Sequence, residues 1–391
     1  MSLRLIAGMS LACALGAQQA PVKLPPPFAT PSVNNRPTVI ERPDGARLQL
    51  PEGFSIDVYA ADFKMPRYMI EGPSHEILVS DSVPRTGAVY VLTNSGKTRK
   101  ALIENLHRPY GLAFWKDYLY VGEVDSIKRY KYNKSAMTAG PGEEVVSLRE
   151  APDGHWTRSL LFDRKGEKLY VGVGSRSNVG TGEPETRAAI NRYHPDGSGH
   201  EIVASGTRNP IGLAWYPGTD TLWAAVQERD LIGDDLVNDY FTAIKQGGFY
   251  GWPYAYTGPN EDPRNKGQRP DLVSKTIVPD VVLQPAHVAV LDARFYTGKM
   301  FPKRYDGGAF LALHGSWNRS ARAGYAVAFI PFKDGKPAGP QEDFLTGWML
   351  APDKKEVWGR PVGLLQLPDG SLLVSDDGGN KLWRISYKRP S

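Results

Sequence analysis

Short segments in which apolar and polar residues alternate recur along the chain, each closed by a turn rich in Gly or Asp. They are "SHEILVSDS" with "GAVYVLT", "KDYLYVGEVDSIKRYKY", "GEKLYVGVGSRS" with "INRYH", "TDTLWAAVQERD", "GGAFLALHGSW" with "YAVAFIPF", and "GSLLVSDDGGNKLWRISY". A period of two buries one face of a strand, so each segment reads as a strand pair. Most pairs follow a further apolar stretch, such as "RPYGLAF", "TRSLLFD", "RNPIGLAW" or "RPVGLLQL". A lead strand followed by a strand pair, repeated six times, predicts an all-β chain folded as a six-bladed β-propeller. Its blades are four-stranded and antiparallel, with long functional loops at one end. A β-sandwich would alternate too, but it would not repeat the lead strand with every pair.

Helix signals are few. "EPETRAAINRY" and "LVNDYFTAIKQGG" are predicted helices, the second stopped at Gly247. "PNEDPRNKGQRPDLVSKTIVPD" has no periodicity and reads as a long loop, a length that is often functional. The 41 Gly and 32 Pro are spread along the 391 residues as turn formers rather than in a repeat.

The first 20 residues carry Arg4, an apolar run from Leu5 to Leu15, and then small residues. This is the pattern of a secretory signal peptide and too short to span a membrane. Residues 21–45 read as a Pro-rich leader, and 46–391 as a single catalytic propeller. The expected location is periplasmic or extracellular, with no integral membrane segment. The lone cysteine, Cys13, lies in the signal segment, so the mature chain forms no disulfide. The net charge of +5 is mild and has no long basic run, which argues against nucleic acid as a partner.

Polar residues gather just before the lead strands: Arg67, His107 and Arg108, His155, Arg208 and Asn209, His287, and Arg360. In a propeller the lead strands line the central channel, so these positions meet at one mouth. Arginines crowded there repel one another without an anion, and their planar fork suits carboxylates. The expectation is an anionic, carboxylate-bearing ligand. "LALHGSWNRS" adds His314, Trp317, Asn318 and Arg319, whereas His75, His194 and His200 sit beside turn residues and read as solvated. "VQERDLIGDDLVNDY" concentrates Glu228, Asp230, Asp234, Asp235, Asn238 and Asp239. Such oxygen donors suit Ca²⁺, and an acidic helix start would look the same. "GVGSRSNVG" follows a hairpin and opens no dinucleotide-type helix, so it is not read as a nicotinamide site.

The stretches "RPYGLAF", "DGHWTRSLLFD", "SGTRNPIGLAWYP", "GDDLVNDY" with "GGFYGWPY", "HVAVLDARFYTG", "FLALHGSWNR" and "RPVGLLQLPDGSLLVSDD" together resemble one family. It is the soluble six-bladed sugar dehydrogenases that use pyrroloquinoline quinone (PQQ): the glucose, aldose-sugar and sorbosone enzymes. "GGFYGWPY" and "HGSWNR" bring the chain nearest the sorbosone and pyranose branch. The resemblance implies oxidation of a sugar or sugar-derived aldehyde, with PQQ and Ca²⁺ as cofactors and an external quinone or cytochrome as electron acceptor. It implies that His155 is the catalytic base and that Arg208 and Asn209 contact the cofactor near its reactive carbonyls. It implies backbone carbonyls of Glu228 and Arg229 as calcium ligands, with Asp230 adding a side chain. His287, His314, Asn318, Arg319 and Arg360 would contact or clamp the cofactor; Arg67 and Arg108 join them by pattern alone. Where the glucose-type enzymes carry a lysine, this chain has "HGSWNR". A Ca²⁺-dependent propeller lactonase and a non-catalytic binding propeller are the alternative readings.

Overall fold

The computed structural model describes residues 23–150 and 154–388. The segment 1–20, read as a signal peptide, lies outside them. Six blades surround a central axis, as the alternation predicts; each has four antiparallel strands, and one carries a fifth, Gly248–Phe249, paired in parallel at its outer edge. Their inner strands are Pro66–Glu71, Leu112–Trp115, Arg158–Phe162, Asn209–Trp215, Val290–Phe295 and Pro361–Gln366. Each packs against the inner strand of the next blade, and the last against the first, which closes the ring. The approach near the axis is tight: a Cβ on Gly363 would lie 2.3 Å from the carbonyl oxygen of Arg67 on the neighbouring inner strand.

The ring is sealed by a strand from each end of the chain. Phe54–Ala60 pairs antiparallel with Lys381–Tyr387, from Phe54 opposite Tyr387 to Ala60 opposite Leu382. Phe54–Ala60 is the outer edge of this blade, and Lys381–Tyr387 lies inside it, paired on both sides. Core residues lie in wedges between adjacent blades. Tyr68, Leu78 and Val89 of one blade pack with Leu112, Leu119 and Val121 of the next, all buried. Apolar alternation on both faces of each blade therefore supplies the core.

Both predicted helices are corrected. "EPETRAAINRY" contains the strand Ala189–Tyr193, paired on both sides. "LVNDYFTAIKQGG" contains Tyr240–Ala243, which lies between Leu222–Gln227 and Val281–Val282. Each fills the third place in its blade, and sheet pairing overrides a weak local helix preference. The loop reading of "PNEDPRNKGQRPDLVSKTIVPD" is nearly right: it holds a two-residue strand, Asn260–Glu261, one 3₁₀ turn, Pro263–Asn265, and one α-turn, Pro270–Val273.

Candidate active site

The residues picked out before the lead strands lie within a few residues of an inner strand's start, and His155, Arg208, His287 and Arg360 meet at one end of the channel. A cavity of about 180 Å³ opens there, lined by His155, Arg208, Glu228, Asp230, His287, His314, Asn318 and Arg360 among others. Asn209 lies just outside this lining. Its Nδ2 donates to Gln227, which faces the cavity, at 2.8 Å, and its buried Oδ1 has no hydrogen-bond partner.

His155 is the best-defined of the candidates. Its Nδ1 lies 2.8 Å from the carbonyl oxygen of Ser175. A carbonyl only accepts, so Nδ1 carries the proton and Nε2 is left with a bare lone pair. Burial, and then the positive charge of Arg208, push its pKa down to about 3. Gly174 makes this arrangement possible: a Cβ there would lie 2.5 Å from Cβ of His155 and 2.2 Å from Oδ1 of Asn209.

Arg208 is buried and fully engaged. It donates to the Glu228 carbonyl, to Asp230 Oδ2 at 3.0 Å, and to Asn178 Oδ1 at 3.1 Å and Asn178 O at 3.2 Å. Asn178 belongs to the Gly-rich "GVGSRSNVG" segment that sequence reasoning set aside. It also binds the Asp230 amide and carbonyl, each at 2.9 Å, and accepts from Trp252 at 2.8 Å. It is the hub that fixes Arg208 against Asp230. Nothing in sequence marked it, because its partners lie 30 to 74 residues away.

The second missed residue is Asp377. It pairs with Arg67 at 2.6 Å and with His314 Nε2 at 2.9 Å, and Arg360 lies close enough to stabilise its charge. Burial alone would raise its pKa, but Arg67 and His314 hold it well below the usual carboxylate range. His314 itself is held to about 3, by burial first and then by Arg360. The expectation that crowded arginines require a ligand anion is thus met partly from within, by Asp377 and Asp230. Arg360 differs: its guanidinium donates to the carbonyls of His314 and Gly315, each at 3.3 Å, and burial lowers its pKa.

The other candidates are placed as follows. His287 donates from Nε2 to the Gly233 carbonyl at 3.0 Å and accepts from Asn318 at 3.3 Å; Asn318 also donates to Asp230 Oδ1 at 2.7 Å. Arg319 turns to Asp235 and the Asp234 carbonyl, and is not part of the cavity lining. Arg67 and Arg108 both lie over the Trp156 ring, 5.2 and 5.3 Å from its centre, beside His155 in sequence. His75, His194 and His200 are exposed, as read.

Of the acidic stretch, Glu228, Asp230 and Asp239 reach the cavity lining, and Asp234, Asp235 and Asn238 do not. Asp239 is buried, accepts from the Glu228 and Val290 amides, and is pushed up to about 7 chiefly by burial. Asp235 pairs with Arg319, and Asn238 donates to Leu283 O. The Arg229 side chain is fully buried between Glu228 and Asp262. Among the described residues, no group of three or more His, Cys, Asp or Glu is placed to hold a metal. The Glu228 carbonyl and the Asp230 carboxylate are oxygens of the kind Ca²⁺ uses, and the buried Glu228 Oε1 has no hydrogen-bond partner. Arg208 occupies the first two. An ion here fits by donor chemistry, with Arg208 as its competitor.

A family model, TrAA12-like, matches residues 48–388. The chain belongs to the TrAA12-like family. An uncharacterized protein of Borreliella burgdorferi is 30% identical over 356 residues, covering 88% of this chain and 91% of that protein. A pyrroloquinoline quinone-dependent pyranose dehydrogenase of Coprinopsis cinerea is 25% identical over 291 residues, 59% of this chain and 39% of that protein. A calcium structure of a Trichoderma reesei family AA12 enzyme superposes with a TM-score of 0.75 at 21% identity, covering 91% of this chain and 99% of that one. For a TrAA12-like chain the shared fold accounts for the position of the cavity; the chemistry has to be argued from the residues in it.

Proposed function

We propose that this protein is a PQQ- and calcium-dependent dehydrogenase that oxidises a sugar or sugar-derived aldehyde, of aldose or sorbosone type. The observation that carries the proposal is His155: an imidazole fixed by Ser175, bare at Nε2, lining a cavity that Arg208 and Arg360 also line. Family membership and the quinone-dependent relative support it.

The residues fit a quinone with several carboxylates. Arg360 offers a half-buried guanidinium with two long carbonyl contacts, the Tyr325 ring 5.7 Å away and Asp377 nearby. Asn209 and Arg208 stand at the same mouth, where a cation and an amide stabilise negative charge on an oxygen. When bound, PQQ supplies a two-electron acceptor. His155 Nε2 accepts the proton of the substrate hydroxyl, and Ser175 keeps the ring in the tautomer that can do so. Burial is the main cause that depresses His155; an anion beside Arg208 would offset the second, the arginine's charge. Glu228 and Asp230, with the Arg229 carbonyl, would hold Ca²⁺ once Arg208 turns toward the anion. His287, His314 and Asn318 line the cavity, and Arg67, Arg108 and Arg319 would support its wall.

An exported enzyme passing electrons to an external quinone or cytochrome accords with the leader sequence. Among the described residues no helix is long and apolar enough to cross a membrane. The test is reconstitution with PQQ and Ca²⁺, followed by dye-linked oxidation across a panel of aldoses, pyranoses and sugar aldehydes. Quinone binding with turnover on at least one of them is the expected result. No quinone binding and no turnover would overturn the proposal.

A further inference from the structure

The Pro-rich leader lies outside the region matched by the family model, which begins at residue 48. It nevertheless lies against the loops that build the cavity wall. The Phe28 amide donates to the Ile232 carbonyl at 2.8 Å, and Thr30 Oγ1 accepts from the Asp234 amide at 2.8 Å. Leu24 packs on the buried cluster of Ile232, Leu236, Val237 and Tyr256. Thr38–Val39 then pairs in parallel with Glu356–Val357.

Asn35 is the centre of this strap. Its amide donates to the Trp317 carbonyl at 2.7 Å, and its Nδ2 donates to the carbonyls of Arg319 at 2.9 Å and Ser320 at 3.1 Å. Its carbonyl and Oδ1 accept from the buried Arg322 at 3.0 and 2.9 Å. Arg36 lies over the Trp317 ring, 5.7 Å from its centre. The segment so held, 316–322, supplies Trp317 and Asn318 to the cavity lining, and Asn318 in turn bonds Asp230 and His287.

We infer that Asn35 is a positioning residue: it fixes the Trp317–Asn318 wall of the cavity from outside the propeller. The leader is therefore part of the site's support. A loop ordered before the ligand arrives does not have to be ordered by it, and affinity gains accordingly. That effect on cofactor affinity rests on the quinone reading proposed above; the support of the wall does not.

The distinguishing variant is Asn35→Asp. It keeps an acceptor for Arg322 but sets a carboxylate against the carbonyls of Arg319 and Ser320. Asn35→Ala removes both sets of side-chain contacts. Two measurements are made on the full mature chain: hydrogen exchange of the segment 314–322, and PQQ titration followed by absorbance. In both variants exchange of the segment should rise, and PQQ should bind about tenfold more weakly. Unchanged exchange in both variants overturns the inference. An Asn35→Asp variant that behaves as wild type while Asn35→Ala does not supports the strap through Arg322 and overturns the part given to the Arg319 and Ser320 carbonyls. Faster exchange with unaltered PQQ affinity supports the strap and overturns its effect on cofactor binding. If the wild type binds no PQQ while exchange still responds, the strap stands and the quinone reading falls.

Discussion

The Nδ1 of His155 and the carbonyl oxygen of Ser175 stand 2.8 Å apart, and this one contact decides which ring nitrogen can take a proton. Replacing His155 with Ala should lower turnover by about 10²- to 10⁴-fold, the usual contribution of a general base. Quinone affinity should hold, because the cations at the mouth are untouched. Steady-state kinetics beside a PQQ titration check both halves. Turnover within twofold of wild type would remove the base role.

The same histidine makes folding sensitive to acid. An unfolded imidazole takes a proton near its ordinary pKa of 6.5, while His155 in the fold resists until about 3. Across that window the unfolded state binds more protons, so stability falls as pH falls. His314 acts in the same direction, with the same limit. Asp239 and Asp292, pushed up to about 7 and about 6, act oppositely: their contribution is present at low pH and is lost as pH rises through those values. The wild-type profile is a sum of opposed slopes, so the test is a comparison. His155→Gln should lose less Tm than wild type between pH 7 and pH 4, by roughly a few degrees. Parallel profiles would contradict this assignment.

The blades were legible in the sequence because alternation is a local signal, and each blade carries its own. The convergence of His155, Arg208, His287 and Arg360 followed from the propeller alone, since every inner strand begins at the same mouth. The closing strand Phe54–Ala60 was not legible: its partner lies at the far end of the chain. Asn178 and Asp377 escaped for a related reason. Their importance lies in what they face, and neither sits before a lead strand. Arg319 shows the converse, a residue in the right segment whose side chain bonds Asp235 instead. The two supposed helices failed because a short third strand needs its neighbours to declare it.

Asp377 yields a prediction about stability. Asp377→Asn leaves the buried Arg67 and the half-buried Arg360 without the carboxylate that compensates them. Removing one partner of a buried pair costs about 3 kcal/mol. The denaturant midpoint should fall with an unchanged slope. Adding Arg67→Gln should recover part of the loss, because the stranded charge is then gone as well. A double variant no better than the single one would show that the network is not coupled through this pair.

Arg208 and a calcium ion need the same oxygens. The guanidinium bonds the Glu228 carbonyl and Asp230 Oδ2, both of which belong to the proposed metal set. Arg208→Met frees those oxygens and removes a nearby positive charge, so Ca²⁺ should bind at least about tenfold more tightly. PQQ should bind more weakly in the same variant, for want of the cation beside its reactive end. Arg208→Lys keeps the charge but not the fork, and should fall between the two. Calorimetric titration of Ca²⁺ into each protein without quinone reads the competition directly. Equal or weaker Ca²⁺ binding in Arg208→Met would show that arginine and ion do not exchange at one place, and that the metal ligands must be sought elsewhere around the cavity.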